Sequence, residues 1–250
     1  MKRHGSIWGT ADKEKRLSSS EASFYHPEYP FQSHCLDLDG LAYHYLDEGE
    51  GNPVVMVHGN PTWSFFYRKV VMALRKSHRC VVPDHIGCGL SSKPQDYPYL
   101  LETHIENLVQ LIETLALDRI TLILHDWGGA IGFGAACRFP EKIERIVLLN
   151  TAAFRSQQIP FRISICRWPF LGSFLIRGLN LFSRGALRFA VTKELPASTR
   201  FGYLFPYQNW RDRVALFSFV QDIPLSPSHR SYKMLQAIEE ELPRFAARPI

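Results

Sequence analysis

The sequence has little of what marks secreted, membrane-spanning or metal-dependent proteins. Its 250 residues hold five cysteines, an odd number with no paired metal spacing, which fits free thiols in a reducing cytosol better than a disulfide framework. Met1 to Glu21 is polar and mixed in charge, without the apolar core of a secretory signal, so the expected location is cytoplasmic. The longest apolar run, Trp168 to Phe182, is interrupted by Arg177 and is too short to span a bilayer. There is no internal repeat and no nucleic-acid-binding motif, and nothing calls for a metal or an organic cofactor. With 46% hydrophobic and 21% charged residues, the composition is that of a globular enzyme with a sizeable core.

Acidic residues are scarce in one region. Residues 155–213 carry nine Arg and one Lys against only Glu194 and Asp212, and the chain as a whole has a net charge of +5. The arginines there alternate with aromatics at helical spacing, as in Phe174-Leu175-Ile176-Arg177 and Leu187-Arg188-Phe189-Ala190. That pattern reads as a solvated face over a packed one rather than a nucleic-acid surface. An acidic protein partner, an anionic membrane surface and a carboxylated substrate stay open for it, as does a homo-oligomer.

What is present is a rhythm of short apolar runs and helical stretches. Residues 1–33 read as a polar arm, and 34–47 as a β-hairpin turning at Asp39-Gly40. Strands are expected at Pro53 to His58, Arg79 to Pro83, Ile120 to Leu124 and Ile146 to Asn150. Helices are expected over Phe65 to Lys76, about Leu101 to Leu115, and from the turn after Asp126 to Pro140. Strand alternating with helix predicts an α/β fold: a mostly parallel sheet with helices on both faces. Residues 34–150 form the first part of that core. Residues 151–228 lose the rhythm and read as an inserted helical cap over the carboxyl ends of the strands, and 229–250 return to the core through a helix that Pro243 kinks or ends early.

Everything is arranged around residues 120–139. A buried strand runs into His125-Asp126-Trp127-Gly128-Gly129 and then into a helix of small residues. A strand-to-helix turn with an exposed apex side chain is a nucleophile elbow. The apex here is Asp126, a carboxylate already ionised at neutral pH, which can attack an electrophilic carbon directly and form an ester. The helix starting behind it favours the anion, and Gly128, Gly129, Gly132 and Gly134 let that helix lie close to the sheet. The competing reading makes Asp126 a helix N-cap. Upstream, His58-Gly59-Asn60-Pro61-Thr62-Trp63-Ser64 supplies a second loop where an elbow needs one, with Asn60 as an anion donor or a turn residue. Asp84 with Gly87, Gly89 and Ser91 reads as a turn that fixes the chain after a strand. His58 reads as a structural histidine, and His125 points away from Asp126.

The pair His58-Gly59-Asn60-Pro61-Thr62 and His125-Asp126-Trp127-Gly128 resembles the haloalkane dehalogenases, α/β hydrolases with an aspartate nucleophile, over about residues 34–250. Within them the chain is most similar to the third subfamily. Pro83-Asp84-His85-Ile86-Gly87-Cys88-Gly89-Leu90-Ser91 is especially similar to the β-lactone decarboxylases of bacterial long-chain olefin biosynthesis. The resemblance implies that Asp126 displaces halide from a small apolar haloalkane through an aspartyl ester, a hydrolase reading to which opening of a β-lactone with loss of carbon dioxide is the alternative. It further implies that the side chains of Asn60 and Trp127 hold the leaving anion and their backbone N–H groups the oxyanion, with Phe65, Trp168 and other cap aromatics lining the pocket. An epoxide hydrolase is a rival, with Tyr203 and Tyr207 as its acids, although Asn60 stands where it expects an aromatic.

The resembled family completes its machinery with a late acid and a late histidine. Only His229 follows the elbow, and Asn150 ends the strand where another subfamily has Glu. The expectation is a chain shortened by about 50 residues relative to a domain of this size, with acid and base beyond Ile250. An ester on Asp126 would then persist for want of an activated water, and an exposed sheet edge would favour aggregation. A non-catalytic fragment or partner-binding protein is the rival from another class.

Overall fold

A computed structural model describes residues 26–249; residues 1–25 of the expected arm lie outside them. The part of the arm that is described packs inward. Tyr29 is buried against Trp63, and the His26 ring hydrogen-bonds the Ser198 carbonyl oxygen at 3.0 Å.

The described residues form a six-stranded sheet in the order β1-β2-β4-β3-β5-β6. Strand β1 (Ser33–Leu38) and strand β2 (Leu41–Glu48) make the expected hairpin, with Asp39 (φ 51°) and Gly40 (φ 87°) in the left-handed region that a tight two-residue turn requires. β2 pairs antiparallel with β4 (Arg79–Pro83). β3 (Pro53–Val57), β4, β5 (Ile120–Asp126) and β6 (Ile143–Thr151) are parallel neighbours. All five residues of β3 are buried, as expected of a strand covered on both faces.

Helices cover both faces. One apolar cluster joins Val55, Leu122 and Leu124 to α2 (Leu101–Thr114) and α3 (Trp127–Ala136); the other joins Val54, Met56 and Ile123 to Trp63, Phe65 and Tyr67 ahead of α1 (Arg68–Leu74). Gly128 brings α3 onto the sheet, since a Cβ there would lie 2.0 Å from the Val57 carbonyl oxygen, and Gly132 sits against Leu124. Gly134 instead faces α2, where Ile105 occupies the space.

Several boundaries differ from expectation. α3 stops at Ala136 rather than at Pro140, because Phe139, the residue before proline, is pushed to φ −136° and ψ 56°. The stretch from Phe65 is 3₁₀ before it becomes α1. After β6 come α4 (Phe161–Cys166), α5 (Pro169–Ser173), α6 (Leu181–Phe189), α7 (Ala197–Leu204) and α8 (Val214–Gln221), with no strand among them. α9 (Tyr232–Glu241) then packs on α2 and α3 and gives way to a 3₁₀ turn containing Pro243. Pro249 passes beside β6, its carbonyl oxygen accepting from Ile146 N–H at 3.1 Å.

Candidate active site

Asp126 ends β5 at φ 52° and ψ −126° and makes no side-chain capping bond to α3, so the N-cap reading does not hold. A non-glycine residue at positive φ costs on the order of 1–3 kcal/mol and persists only where its surroundings over-determine it. Here they do. Thr151 on β6 donates its hydroxyl to the Asp126 carbonyl oxygen at 2.5 Å, and the ladder between β5 and β6 shifts register between His125 and Asp126. The carboxylate points into the loop after β3, where Asn60 N–H donates to its Oδ1 at 2.8 Å. Gly59 must lack a side chain, since a Cβ there would sit 2.2 Å from the same oxygen. Nothing in the sequence marks Gly59 for this task except its place before Asn60.

Asn60 and Trp127 flank Asp126 differently. The Asn60 side chain is turned to α8, its Nδ2 donating to the Leu216 carbonyl oxygen at 3.0 Å. Trp127 lines the cavity beside Asp126, its ring 5.3 Å from that of Phe219. That cavity, about 380 Å³, is bounded by Asp126, Trp127, Phe154, Ile159, Leu225 and Leu235 among others. Two expected liners are elsewhere. Phe65 is fully buried in the other cluster, stacked on Trp63 and capped by the Arg68 guanidinium at 4.1 Å. Trp168 is 66% exposed and lines an outer depression that shares Gln158, Ile159 and Leu225 with the cavity. The liners that the sequence did not disclose, Phe154 and Ile223 to Leu225, come from loops flanking the helices, where no periodicity flags an inward side chain.

The histidines near the elbow are structural. His125 stacks on Phe66 at 4.3 Å, and burial pulls its pKa below the ordinary value despite the neighbouring Asp126. His58 Nδ1 bonds the Gly59 carbonyl oxygen, and its Nε2 accepts from His85 N–H at 3.1 Å. Burial lowers both of these imidazoles' pKa values. Behind them His104, fully buried and stacked at 4.5 Å on Phe219, has neither ring nitrogen hydrogen-bonded among the described residues. Burial pushes its pKa down to about 3.

Asp84 holds the other loop. Burial by itself would raise its carboxyl, but His44 at 2.8 Å and the N–H groups of Ser64 and Leu90 keep it below the usual carboxylate range. Tyr203 and Tyr207 do not line the cavity: Tyr207 Oη donates to the Thr62 carbonyl oxygen and Tyr203 lies by Arg68. Among the described residues no group of His, Cys, Asp or Glu is arranged to hold a metal, and no helix is long and apolar enough to cross a membrane.

Comparison with known proteins agrees with this fold. The model of the alpha/beta hydrolase fold family matches residues 52–196. A cis-3-alkyl-4-alkyloxetan-2-one decarboxylase of Shewanella oneidensis is 47% identical over 227 residues, covering 88% of this chain and 71% of its own length. The corresponding decarboxylase of Xanthomonas campestris is 42% identical over 238 residues, covering 90% and 79%. Among solved structures, a haloalkane dehalogenase from Agrobacterium tumefaciens superposes with a TM-score of 0.76 at 26% identity, over 84% of this chain and 75% of that one.

Proposed function

The chain belongs to the alpha/beta hydrolase fold family, as a haloalkane dehalogenase-like member, and on that premise we propose that Asp126 is its nucleophile, acting on an apolar substrate held beneath a cap of residues 151–228. The observation that carries this reading is the constrained elbow, with an ionisable apex oxygen 2.8 Å from the Asn60 N–H and the apex residue bounding a mainly apolar cavity. Asn60 N–H orients the carboxylate, and with the start of α3 it receives the oxyanion of any ester that forms. The Trp127 side chain, which lines the same cavity, would supply an N–H donor to the departing anion. For Asn60 to do so as well, its Nδ2 must turn away from Leu216 or share that donor group.

We favour a cis-dialkyl β-lactone as substrate, the ring system in the names of the two decarboxylases matched over 88% and 90% of this chain. Asp126 attacks the alkyl-bearing ring carbon beside the ring oxygen. The carbon–oxygen bond breaks, leaving an ester on Asp126 and a free carboxylate on the neighbouring carbon. Loss of carbon dioxide then moves the carbon–carboxylate electron pair into a new double bond and expels Asp126 unchanged. That sequence needs neither an activated water nor an external base.

The likeness to dehalogenases supports a second substrate, a haloalkane, for which displacement of halide is followed by ester hydrolysis. That second step needs a base, and no histidine lines the cavity among the described residues. The five cysteines, none in a disulfide, suit a reducing compartment.

The test is the intact mass of the 250-residue chain after exposure to a bromoalkane or a cis-dialkyl β-lactone, with Asp126→Asn as control. The bromoalkane should leave a stable added alkyl group, absent in D126N. The β-lactone should yield alkene and carbon dioxide with the protein mass unchanged. Neither adduct nor alkene from a folded chain sinks the nucleophile role; catalytic halide release without lactone turnover gives the substrate to the dehalogenase reading.

A further inference from the structure

The helices that follow β6 carry two surplus features that the chemistry of Asp126 does not use. The first is exposed aromatic surface. Of the fourteen large hydrophobic side chains exposed among the described residues, eleven lie between Phe154 and Trp210, led by Phe170 (93%), Phe161 (77%) and Phe189 (70%). Those of α4 and α6 lie together: the Arg162 guanidinium of α4 lies 5.5 Å over the Phe189 ring of α6, so the aromatics of these two helices share one surface. The second is charge. Residues 155–213 carry a net +8 where the whole chain carries +5, so everything else sums to −3.

The two features meet on α6. Leu181, Arg184, Arg188 and Phe189 are its exposed positions, an alternation of cation and apolar tip along one side. Arg184 and Arg188 also line a cleft of about 450 Å³ with Lys193 and Arg200. Of those four cations, only Arg200 has an ion-pair partner among the described residues, Glu194 at 2.7 Å. Exposed aromatics flanked by arginine stems and open cationic heads are the composition of a surface that lies in the headgroup zone of a bilayer.

We propose that this face docks the protein onto an anionic lipid bilayer, with Phe161, Phe170 and Phe189 entering the interface and Arg184 and Arg188 meeting headgroup phosphates. Charge favours this occupant over a second copy of the chain, which would set one cationic face against another. The site gains by it: the depression containing Trp168 shares Gln158, Ile159 and Leu225 with the cavity of Asp126, so the mouth opens beside the docked face. An alkyl-chain substrate can then pass from membrane to cavity without crossing water. Docking itself does not depend on which electrophile Asp126 takes.

The test is flotation of the full 250-residue chain with vesicles of phosphatidylcholine alone or equimolar phosphatidylcholine and phosphatidylglycerol. Flotation separates bound protein from aggregates, which sink. The protein should rise with the anionic vesicles, not with the neutral ones, and detach as salt rises. Arg184→Gln with Arg188→Gln should weaken binding by roughly thirtyfold, at about 1 kcal/mol per cation near the surface. Phe161→Ser with Phe170→Ser should weaken it without removing the salt dependence. Both pairs should react with a bromoalkane at the parent rate, which separates a docking defect from damage to the site. No flotation with anionic vesicles, or parent-like flotation of both pairs, overturns the proposal. Self-association that the phenylalanine pair abolishes would overturn it too, making this face an interface between copies.

Discussion

A methyl group on Gly59 has no room, because the oxygen that would strike it belongs to Asp126. Gly59→Ala should therefore act on chemistry more than on stability. Displacing the carboxylate by about an ångström should slow alkylation by roughly a hundredfold, read as the rate of mass gain with a bromoalkane, while the urea midpoint stays near the parent's. A parent-like rate would mean that the carboxylate is not held where the Asn60 N–H places it. His104 gives the opposite experiment. Its folded pKa of about 3 lies below its ordinary value of 6.5, so between those limits the unfolded chain binds a proton that the native chain does not. Stability is thus fully present above pH 6.5 and is lost on acidification through that window, with a limiting slope of about 1.4 kcal/mol per pH unit per such histidine. His104→Phe keeps the stack on Phe219, removes that share of the slope, and should add about 1 kcal/mol near neutrality by deleting two unpaired polar atoms. Urea titrations of parent and variant at neutral and mildly acidic pH check this; an unchanged slope would refute it. At this scale Asp126 was legible in the sequence because its two loops have marked residues. His104 was not, since one histidine among apolar helix positions looks like any buried residue until its nitrogens are seen without partners.

Among the elements, the inner strands were the most legible. β3 and the start of β5 are unbroken apolar runs, and each run begins where the observed strand begins. β6 starts three residues before its apolar run because it opens with Ile143-Glu144-Arg145, charges tolerated at the margin of a sheet. The helices after β6 could be recognised as helical but not bounded: Pro160, Pro169 and Pro196 set their starts, and no long apolar stripe shows where each stops. Marginal position has a cost at β6. Val147 and Leu148 are 39% and 44% exposed on β6, the end strand of the described sheet, an apolar surface for contact with another chain. Leu148→Lys should reduce self-association of the 250-residue chain at micromolar concentration, measured by sedimentation velocity. Equal association of parent and variant would place the contact elsewhere.

For the whole molecule, the architecture was legible and the position of the cavity was not. The alternation of strand and helix, the elbow and the run of helices after β6 follow from periodicity and two loops. Which aromatics face inward does not, because Phe65 and Trp168 sit on different faces of the finished object, one in the core and one at the surface. The sheet order carries a further consequence, in time rather than space. β3 lies between β4 and β5, and Val54 pairs with Thr121, 67 positions later in the chain. At roughly 5–20 residues per second of synthesis, Pro53–Val57 waits about 3–13 s before its second neighbour exists. During that wait a wholly apolar strand has one side unpaired on the nascent chain. Synthesis speed between β3 and β5, and any chaperone that shields that strand, should therefore set the yield of folded protein.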